Sequence, residues 1–385
     1  MTRKPDPRTI AATHGVATDI RYGAVVPPLY LSTTYAFAGY DRTSGYDYSR
    51  AANPTRDMLA ETLAGLEGGA GAVITASGMA AVDLLLSRLR RDDLLIAPHD
   101  CYGGTWRLLV ERAARGDFRV SFVDQGDDEA LKEALGQKPA LVYIETPSNP
   151  LMRIIDIRKV GALAHEAGAK VAVDNTFLSP ALQQPISLGA DYVVHSTTKF
   201  INGHSDVVGG AVIAADPEEA KALTYWANVV GSIGAPFDAY MTLRGVRTLF
   251  PRIAQQEANA FAVARFLLRR SEVMAVHYPG LENHPGHDLA RAQQKGFGAM
   301  LSFDLAGGIP AVRAFVEAVR VFTLAESLGG VESLIAHPPT MTHASMDAEV
   351  RHAAGIGDGL LRLSVGLEAE ADLIAGLEAG FAAIG

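Results

Sequence analysis

The feature that most constrains the fold is a repeated alternation between short apolar runs and helical stretches over residues 71–210. The runs are rich in Val and Ile and apolar at consecutive positions, which is typical of parallel strands covered on both faces. Between them, residues 77–89 carry apolar side chains at helical spacing. The alternation therefore predicts an α/β sheet with helices on both faces. The predicted strands are AVIT (72–75), LLIA (94–97), RVSFV (119–123), ALVYI (140–144), KVAVD (170–174) and DYVVH (191–195).

The pattern changes after about Arg244, where a second, smaller α+β domain is predicted. The apolar spacing of residues 251–270 predicts a long amphipathic helix, which would bridge the two domains. The strand-like runs AMLSFDL and LLRLSVG follow, with predicted helices around them. A chain of 385 residues exceeds what one hydrophobic core usually spans. We therefore expect a large domain over residues 51–250 and a C-terminal domain over residues 251–385. Residues 1–50 show little periodicity, which predicts an irregular arm that reaches a neighbouring subunit or, alternatively, a loosely packed surface segment.

Composition narrows the classes of partner. The formal net charge is −9, which disfavours nucleic acid and anionic lipid as overall partners. Cys101 is the single cysteine, so no intrachain disulfide forms, which fits a reducing compartment. The N-terminus MTRKPDPRTI lacks the apolar run of a secretory signal, and no stretch approaches the roughly 20 apolar residues of a membrane span. These observations predict a cytoplasmic protein.

Two predicted strands lead into residues whose side chains can act as an acid, a base or a nucleophile. Asp174 ends one strand, and the next runs into Ser196, Thr198 and Lys199, 25 residues after the aspartate. Ligands of open α/β sheets bind beyond the carboxyl ends of strands, so an acid and an amine are expected in one crevice. A structural ion pair is the commoner explanation of such a pair alone. The flanking hydroxyls and the glycines that follow, Gly203, Gly209 and Gly210, favour a ligand site.

The turn TASGMAA (75–81) lies between a predicted strand and a predicted helix. Small residues there leave backbone N–H groups and the positive helix end free to meet an anion, so Ser77, Gly78 and Met79 are candidate phosphate contacts. The chain has no Walker A or GxGxxG pattern, which argues against nucleotide and dinucleotide sites. An anion site, a carboxylate for a ring nitrogen and a lysine for an aldehyde together match pyridoxal 5'-phosphate (PLP).

Long runs along the chain resemble the Cys/Met-metabolism family of PLP-dependent enzymes. The resemblance implies the aspartate-aminotransferase-like fold, PLP fold type I, and a homotetramer built from tight dimers. It spans nearly the whole chain and rests on YIETPSNPLMRIIDI (143–157), VAVDNTFLSPALQQPISLGADYVVHSTTKFINGHSDVVGG (171–210), DYSRAANPT (47–55), HDCYGGTWR (99–107), KGFGAMLSF (295–303), FTLAESLGGVESL (322–334) and RLSVGLE (362–368).

The resemblance also implies roles for individual residues. Lys199 would form the Schiff base and move protons, and Asp174 would hold the ring nitrogen. Tyr102 would stack on the ring and take part in catalysis. The residues implied to contact phosphate are Ser77, Gly78, Met79, Ser196 and Thr198 from the same subunit, with Tyr48 and Arg50 reaching the neighbour's phosphate.

A second implied set binds substrate, and Arg362 would hold the α-carboxylate. Its planar fork suits a carboxylate, although its strand context alone also fits a rim salt bridge. Glu326 would sit near the γ-end of the substrate and favour a cysteine amine. The remaining implied substrate contacts are Asn149, Ser327, Arg107 and Asp47.

The motifs are most similar to bacterial members that perform γ-replacement. That chemistry joins an O-acylhomoserine to L-cysteine and gives L-cystathionine, in the transsulfuration route of methionine biosynthesis. The same motifs leave γ-elimination of cystathionine and sulfhydrylation of an O-acylhomoserine open, and a PLP-binding scaffold is the non-enzymatic alternative. Ala51 follows Arg50 where some such synthases carry a second arginine, which weakens the case for an anionic succinyl group.

The histidines show no metal-ligand spacing, so we expect no metal. This holds for His284, His287, His337 and His343. His204 lies in the lysine motif and is expected to be a structural hydrogen bonder, and Cys101 a small buried hydrophobe.

Overall fold

The computed structural model describes residues 5–344 and 348–384. A seven-stranded sheet forms the centre of the first half, in the order β1-β7-β6-β5-β4-β2-β3. Every side chain in β2, β4 and β7 is buried, as expected where helices cover both faces. The strands are Gly71–Thr75 (β1), Leu94–Pro98 (β2), Arg119–Val123 (β3), Leu141–Glu145 (β4), Lys170–Asp174 (β5), Tyr192–His195 (β6) and Gly210–Ala214 (β7).

Strand β7, which was not among the predicted strands, runs opposite to the others in this sheet. The pairs β2–β3, β2–β4, β4–β5 and β5–β6 are parallel, whereas β7 pairs antiparallel with both β1 and β6. The sheet is therefore mostly parallel. Strands β5 and β6 are neighbours, with Asp174 opposite Val194. Their carboxyl ends consequently open at the same edge, as the sequence predicts.

Helices pack on both faces of this sheet, and their starts are marked by capping residues. Asn53 accepts hydrogen bonds from the Thr55 and Arg56 amides, and Ser77 accepts one from Ala80. The helices of this half are Pro54–Glu67 (α2), Gly78–Leu86 (α3), Gly103–Ala114 (α4), Asp128–Gly136 (α5), Ile157–Glu166 (α6), Ser179–Leu182 (α7), Pro217–Val230 (α8) and Pro236–Val246 (α9), after Pro7–Thr13 (α1) in the N-terminal segment.

A five-stranded sheet follows, in the order β10-β11-β12-β9-β8. Its strands are Val273–His277 (β8), Met300–Leu305 (β9), Thr323–Leu324 (β10), Leu334–Ala336 (β11) and Leu360–Ser364 (β12). The predicted bridging helix is Leu249–Leu267 (α10), and the other helices are His287–Gln293 (α11), Gly308–Ala318 (α12), Ala348–Ala353 (α13) and Glu370–Ala382 (α14).

One apolar cluster joins the two sheets. It contains Leu178 and Phe200 from the connections after β5 and β6, Ile253 from α10, and Phe303 and Leu363 from the second sheet, all at most 2% exposed. Interiors of this kind are close-packed and transmit displacement. The second sheet is therefore held at a fixed position against the strand ends of the first.

The N-terminal segment contrasts with this packing. The prediction of an irregular arm is wrong for Pro7–Thr13, which forms α1 because Asp6 caps it and Pro7 is placed at its first position. Most of residues 15–52 lie outside regular structure. Large apolar side chains there face solvent, with Ile20 and Tyr40 fully exposed. Such a surface is typical of a segment that contacts another chain.

Within residues 5–344 and 348–384, no helix has both the length and the apolar character required to cross a bilayer.

Candidate active site

A cavity of about 660 Å³ lies between the two sheets, beyond the carboxyl ends of β5 and β6. It brings together most of the residues that the sequence singled out. Those on its wall are Ser77, Gly78, Met79, Tyr102, Arg107, Asn149, Asp174, Ser196, Thr198, Lys199, Glu326, Ser327 and Arg362.

Lys199 is the amine at the centre of this cavity. Its Nζ donates a hydrogen bond to Ser327 Oγ at 2.7 Å. Burial, together with the nearby Arg362 guanidinium, lowers the pKa of Lys199 to about 8, while Glu326 acts in the opposite direction. At pH 7 about one amine in ten is then neutral, against fewer than about one in a thousand for an ordinary lysine. The amine can therefore accept a proton or attack an aldehyde.

Arg362 lies on β12 and is 3% exposed. One terminal nitrogen donates to Asn149 Oδ1 and the other to the Ser327 carbonyl, both at 2.9 Å, whereas its Nε is buried without a partner. Burial lowers the pKa of Arg362 to about 10, so the group stays charged at neutral pH. A buried cation without a carboxylate partner is costly, and an anionic ligand would offset that cost. This arrangement favours a carboxylate site over a rim salt bridge.

Asp174 is held at the end of β5 by two donors. The Thr176 amide donates to Oδ1 at 2.9 Å, and the Tyr143 hydroxyl donates to Oδ2 at 3.0 Å. Thr176 in turn accepts a hydrogen bond from the Ser196 amide at 2.9 Å, which joins the ends of β5 and β6. The acid and the lysine segment are thus fixed relative to each other.

The turn before α3 is a candidate anion cradle. Because α3 begins at Gly78, the amides of Gly78 and Met79 have no carbonyl of the same helix to bond. A Cβ on Gly78 would lie 2.7 Å from Ser196 Cβ, closer than side chains tolerate, so glycine is required for this approach. The Thr198 hydroxyl already bonds to the Gly209 backbone, donating at 3.1 Å and accepting at 3.0 Å.

Tyr102 presents a half-exposed ring at the cavity wall, immediately before α4. A Cβ on Gly104 would lie 2.5 Å from the ring, so the glycine lets the ring pack down against the helix. A flat, accessible aromatic face is what stacking on a planar ligand requires.

Glu145 is a wall residue that was not singled out from the sequence. Its carboxyl is buried and accepts hydrogen bonds from the Tyr102 amide at 2.9 Å and the Asn149 amide at 3.2 Å. Burial, together with the nearby Asp174, raises the pKa of Glu145 well above its usual range. Glu145 ends β4, the strand beside the one that ends in Asp174, and this position could have predicted from the sequence that it lines the cavity.

Three predicted site residues lie away from this cavity. Asp47 accepts a hydrogen bond from the Tyr48 amide at 2.6 Å, and Tyr48 is half exposed. Arg50 donates to the Asn228 carbonyl at 2.6 Å and lies over the Tyr48 ring. They share one surface of the N-terminal segment, so their role at a neighbour's site stays a prediction.

The remaining polar candidates have local partners. His204 is within 2.7 Å of the Asn202 carbonyl, as expected of a structural hydrogen bonder. Cys101 is 1% exposed, and burial raises the pKa of its thiol. In the described part of the chain, no three His, Cys, Asp or Glu side chains are grouped as metal ligands.

Residues 8–382 match the sequence profile of the family described as Cys/Met metabolism PLP-dependent enzymes. The chain belongs to this family of PLP-dependent enzymes of cysteine and methionine metabolism, and it has the fold of solved members. It is 55% identical to the cystathionine γ-synthase of Escherichia coli K12, covering 100% of this chain and 99% of that one. A crystal structure of cystathionine γ-synthase from Xanthomonas oryzae pv. oryzae in complex with cystathionine matches with a TM-score of 0.98 and 56% identity, over 99% of both chains. A cystathionine β-lyase of Lactococcus lactis subsp. cremoris is 46% identical, over 94% of this chain and 96% of that one.

Proposed function

We propose that this enzyme performs γ-replacement, joining an O-acylhomoserine to L-cysteine to give L-cystathionine. The observation that carries the proposal is the pairing of a largely buried amine, Lys199, with a buried guanidinium, Arg362, across a cavity large enough for an amino acid beside a cofactor. The high identity to two cystathionine γ-synthases supports this choice within the family.

The residues present fit PLP. The free amides of Gly78 and Met79, with the Ser196 hydroxyl, form the anion cradle for its phosphate. Asp174, fixed by two donors, would hold the ring nitrogen, and Tyr102 would cover one ring face. When bound, PLP supplies an aldehyde for the lysine amine and an electron-poor ring that stabilises negative charge at Cα.

Lys199 would move the protons of the reaction. Its lowered pKa makes a neutral amine available near pH 7, so it can take a proton from Cα and return one later. The Ser327 hydroxyl, 2.7 Å from Nζ, keeps the amine directed into the cavity. The second proton that must leave, from Cβ before the γ-substituent departs, is assigned to the same amine, since the cavity wall of described residues contains no other lysine.

Arg362 and Asn149 would orient the substrate. The unpartnered Nε and the terminal nitrogen beside it, which donates to the Ser327 carbonyl, present a planar fork for a carboxylate. With the α-carboxylate fixed there, the γ-carbon would extend toward Glu326 and Arg107 on the wall. Glu326 would attract the ammonium group of cysteine, and Arg107 would contact the acyl group that leaves.

The exposed N-terminal segment supports an assembly with shared sites. We assign residues 1–50 to an intersubunit arm, 51–250 to the PLP-binding domain and 251–385 to the C-terminal domain. Tyr48 and Arg50 would reach the phosphate of a neighbouring subunit, and Asp47 would approach its substrate. The apolar side chains exposed on this segment would be covered in that dimer, with two dimers forming a tetramer. A lone buried cysteine fits a cytoplasmic location.

The test supplies purified protein with O-succinylhomoserine or O-acetylhomoserine plus cysteine and measures cystathionine. Cystathionine alone is then supplied and 2-oxobutyrate measured. The proposal expects a yellow protein that makes cystathionine faster than it releases keto acid. Lys199→Ala should lose the colour and turnover, whereas Lys132→Ala, an exposed lysine on α5, should keep both. If 2-oxobutyrate were released faster than cystathionine is made, the protein would be a lyase instead. If the wild-type protein stayed colourless after PLP addition, the proposal that it is a PLP-dependent enzyme would be rejected.

A further inference from the structure

A second cavity, of about 930 Å³, lies in the C-terminal half and shares no wall residue with the active site. One side is formed by α10 and the other by the segment 280–297. Its wall comprises Phe261, Arg265, Leu268, Gly280, Leu281, Glu282, Asn283, His287, Arg291, Gln294, Lys295, Gly296 and Phe297.

The wall of this cavity is cationic on a protein whose net charge is −9. Three side chains, Arg265, Arg291 and Lys295, face a single wall carboxylate, Glu282. Among the described residues, none of the three has a carboxylate oxygen within 4.0 Å, and the Lys295 side-chain amine donates only to Gln184 Oε1 at 3.2 Å. Positive charge gathered in a concavity attracts small anions.

Aromatic and apolar surface lies between these cations. Phe261 is 40% exposed, with the Arg265 guanidinium carbon 5.9 Å from its ring centroid. His287 stacks on Phe297, with their ring centroids 5.3 Å apart. A flat ring packed here would gain both apolar contact and a guanidinium face.

Gln294 supplies an independent sign of a missing ligand. It is 8% exposed, yet both its Nε2 and its Oε1 are buried with no hydrogen-bond partner. Its backbone amide donates to the Ala290 carbonyl at 2.8 Å, which holds the residue at the end of α11. A buried amide with neither bond satisfied is rare, since each unmade bond is costly. Both atoms are closed off from solvent, so the side chain would have to change rotamer toward the cavity before a ligand offering an adjacent donor and acceptor could satisfy them.

We infer that this cavity binds a nucleoside phosphate. The phosphate meets Arg265, Arg291 and Lys295, and the base packs on the aromatic surface. Binding turns the Gln294 side chain into the cavity, where its amide pairs with the hydrogen-bonding edge of the base. Recognition by side-chain charges needs no glycine-rich loop, so the absence of Walker A and GxGxxG patterns does not exclude this kind of site. The site is separate from the chemistry at Lys199 and does not depend on the proposed function.

The test is isothermal titration calorimetry of the PLP-loaded protein with ADP, and separately with inorganic phosphate. We expect saturable binding of ADP, at least about tenfold tighter than that of phosphate. Arg291→Ala and Gln294→Leu should each weaken ADP binding about tenfold or more, since each removes a bond to the ligand. Arg269→Ala, an exposed arginine just past the end of α10 and outside the cavity wall, should leave it unchanged.

Three results would overturn the inference. The first is that ADP at millimolar concentration gives no heat of binding. The second is that ADP and phosphate bind with equal affinity. The third is that Arg291→Ala binds ADP as tightly as wild type does. The last result would place ADP elsewhere, for example at the cradle before α3. Because Arg291 is exposed, its substitution leaves the fold intact, which circular dichroism checks.

Discussion

The lowered pKa of Lys199 makes a quantitative prediction about stability. Burial brings this pKa from 10.5 to about 8, so the folded chain disfavours the protonated amine. The shift corresponds to about 3 kcal/mol of destabilisation wherever the unfolded chain is protonated, since one unit is about 1.4 kcal/mol. The penalty is present in full below pH 8. It decreases as the pH rises from 8 to 10.5, and is about 1.4 kcal/mol at pH 9.5.

Lys199→Met removes this penalty from the cofactor-free protein. It also removes the hydrogen bond to Ser327, which is worth about 1 kcal/mol. The variant should therefore be more stable than wild type by about 2 kcal/mol at pH 7. Its advantage should shrink by about 2 kcal/mol between pH 7 and 9.5, because the lost hydrogen bond is common to both conditions.

Urea unfolding of the cofactor-free proteins measures this difference. The two tryptophans, Trp106 on α4 and Trp226 on α8, report on the half of the chain that contains the lysine. Lys132→Met, at an exposed position, controls for the general effect of removing a lysine. A stability difference between Lys199→Met and wild type that stays constant from pH 7 to 9.5 would show that the amine is not desolvated as described.

Substitutions at three further positions test the remaining parts of the site. Arg362→Lys keeps the charge but loses the planar fork, so KM for the amino-acid substrate should rise about tenfold to hundredfold in steady-state kinetics. An unchanged KM would contradict the assignment of Arg362 to the substrate carboxylate. Gly78→Ala forces a Cβ to 2.7 Å from Ser196 Cβ, so PLP affinity should fall about tenfold in an absorbance titration. If the variant bound PLP as tightly as wild type, the phosphate cradle would lie elsewhere. Glu145→Gln should retain most activity, because the raised pKa of Glu145 favours a neutral group and the glutamine oxygen still accepts the Tyr102 amide. Glu145→Leu accepts no hydrogen bond, so its activity should fall more than about tenfold. Equal losses of activity in the two variants would refute this role.

Much of the fold was predictable because apolar runs of strand length mark the central sheet. RVSFV and KVAVD coincide with β3 and β5, and the long helix of α10 was found within three residues at each end. The strand Gly210–Ala214 was not singled out, because it follows a glycine-rich stretch that was read as part of the lysine motif. Its antiparallel direction could not be read either, since a run buried on both faces has the same composition in either direction.

The sequence predicted which side chains meet in one cavity where strand order decides the geometry. Asp174 and Lys199 follow neighbouring strands, so the crevice was predictable from the alternation alone. The contribution of Arg362 needed the family resemblance, because its strand lies in another sheet and its distance to Asn149 depends on packing. Glu145 was missed because a glutamate at a strand end has no distinctive spacing, and its two backbone donors come from separate loops.

The position of Lys199 between two sheets has a consequence for synthesis of the chain. Ser327 and Arg362, which contact or neighbour the amine, follow it in the sequence by 128 and 163 residues, so they are synthesised after it. Until they arrive, the lysine is hydrated and carries its ordinary charge, so it reacts slowly with aldehydes. The nucleophile is therefore latent on the ribosome, and capture of the cofactor awaits completion of the C-terminal half.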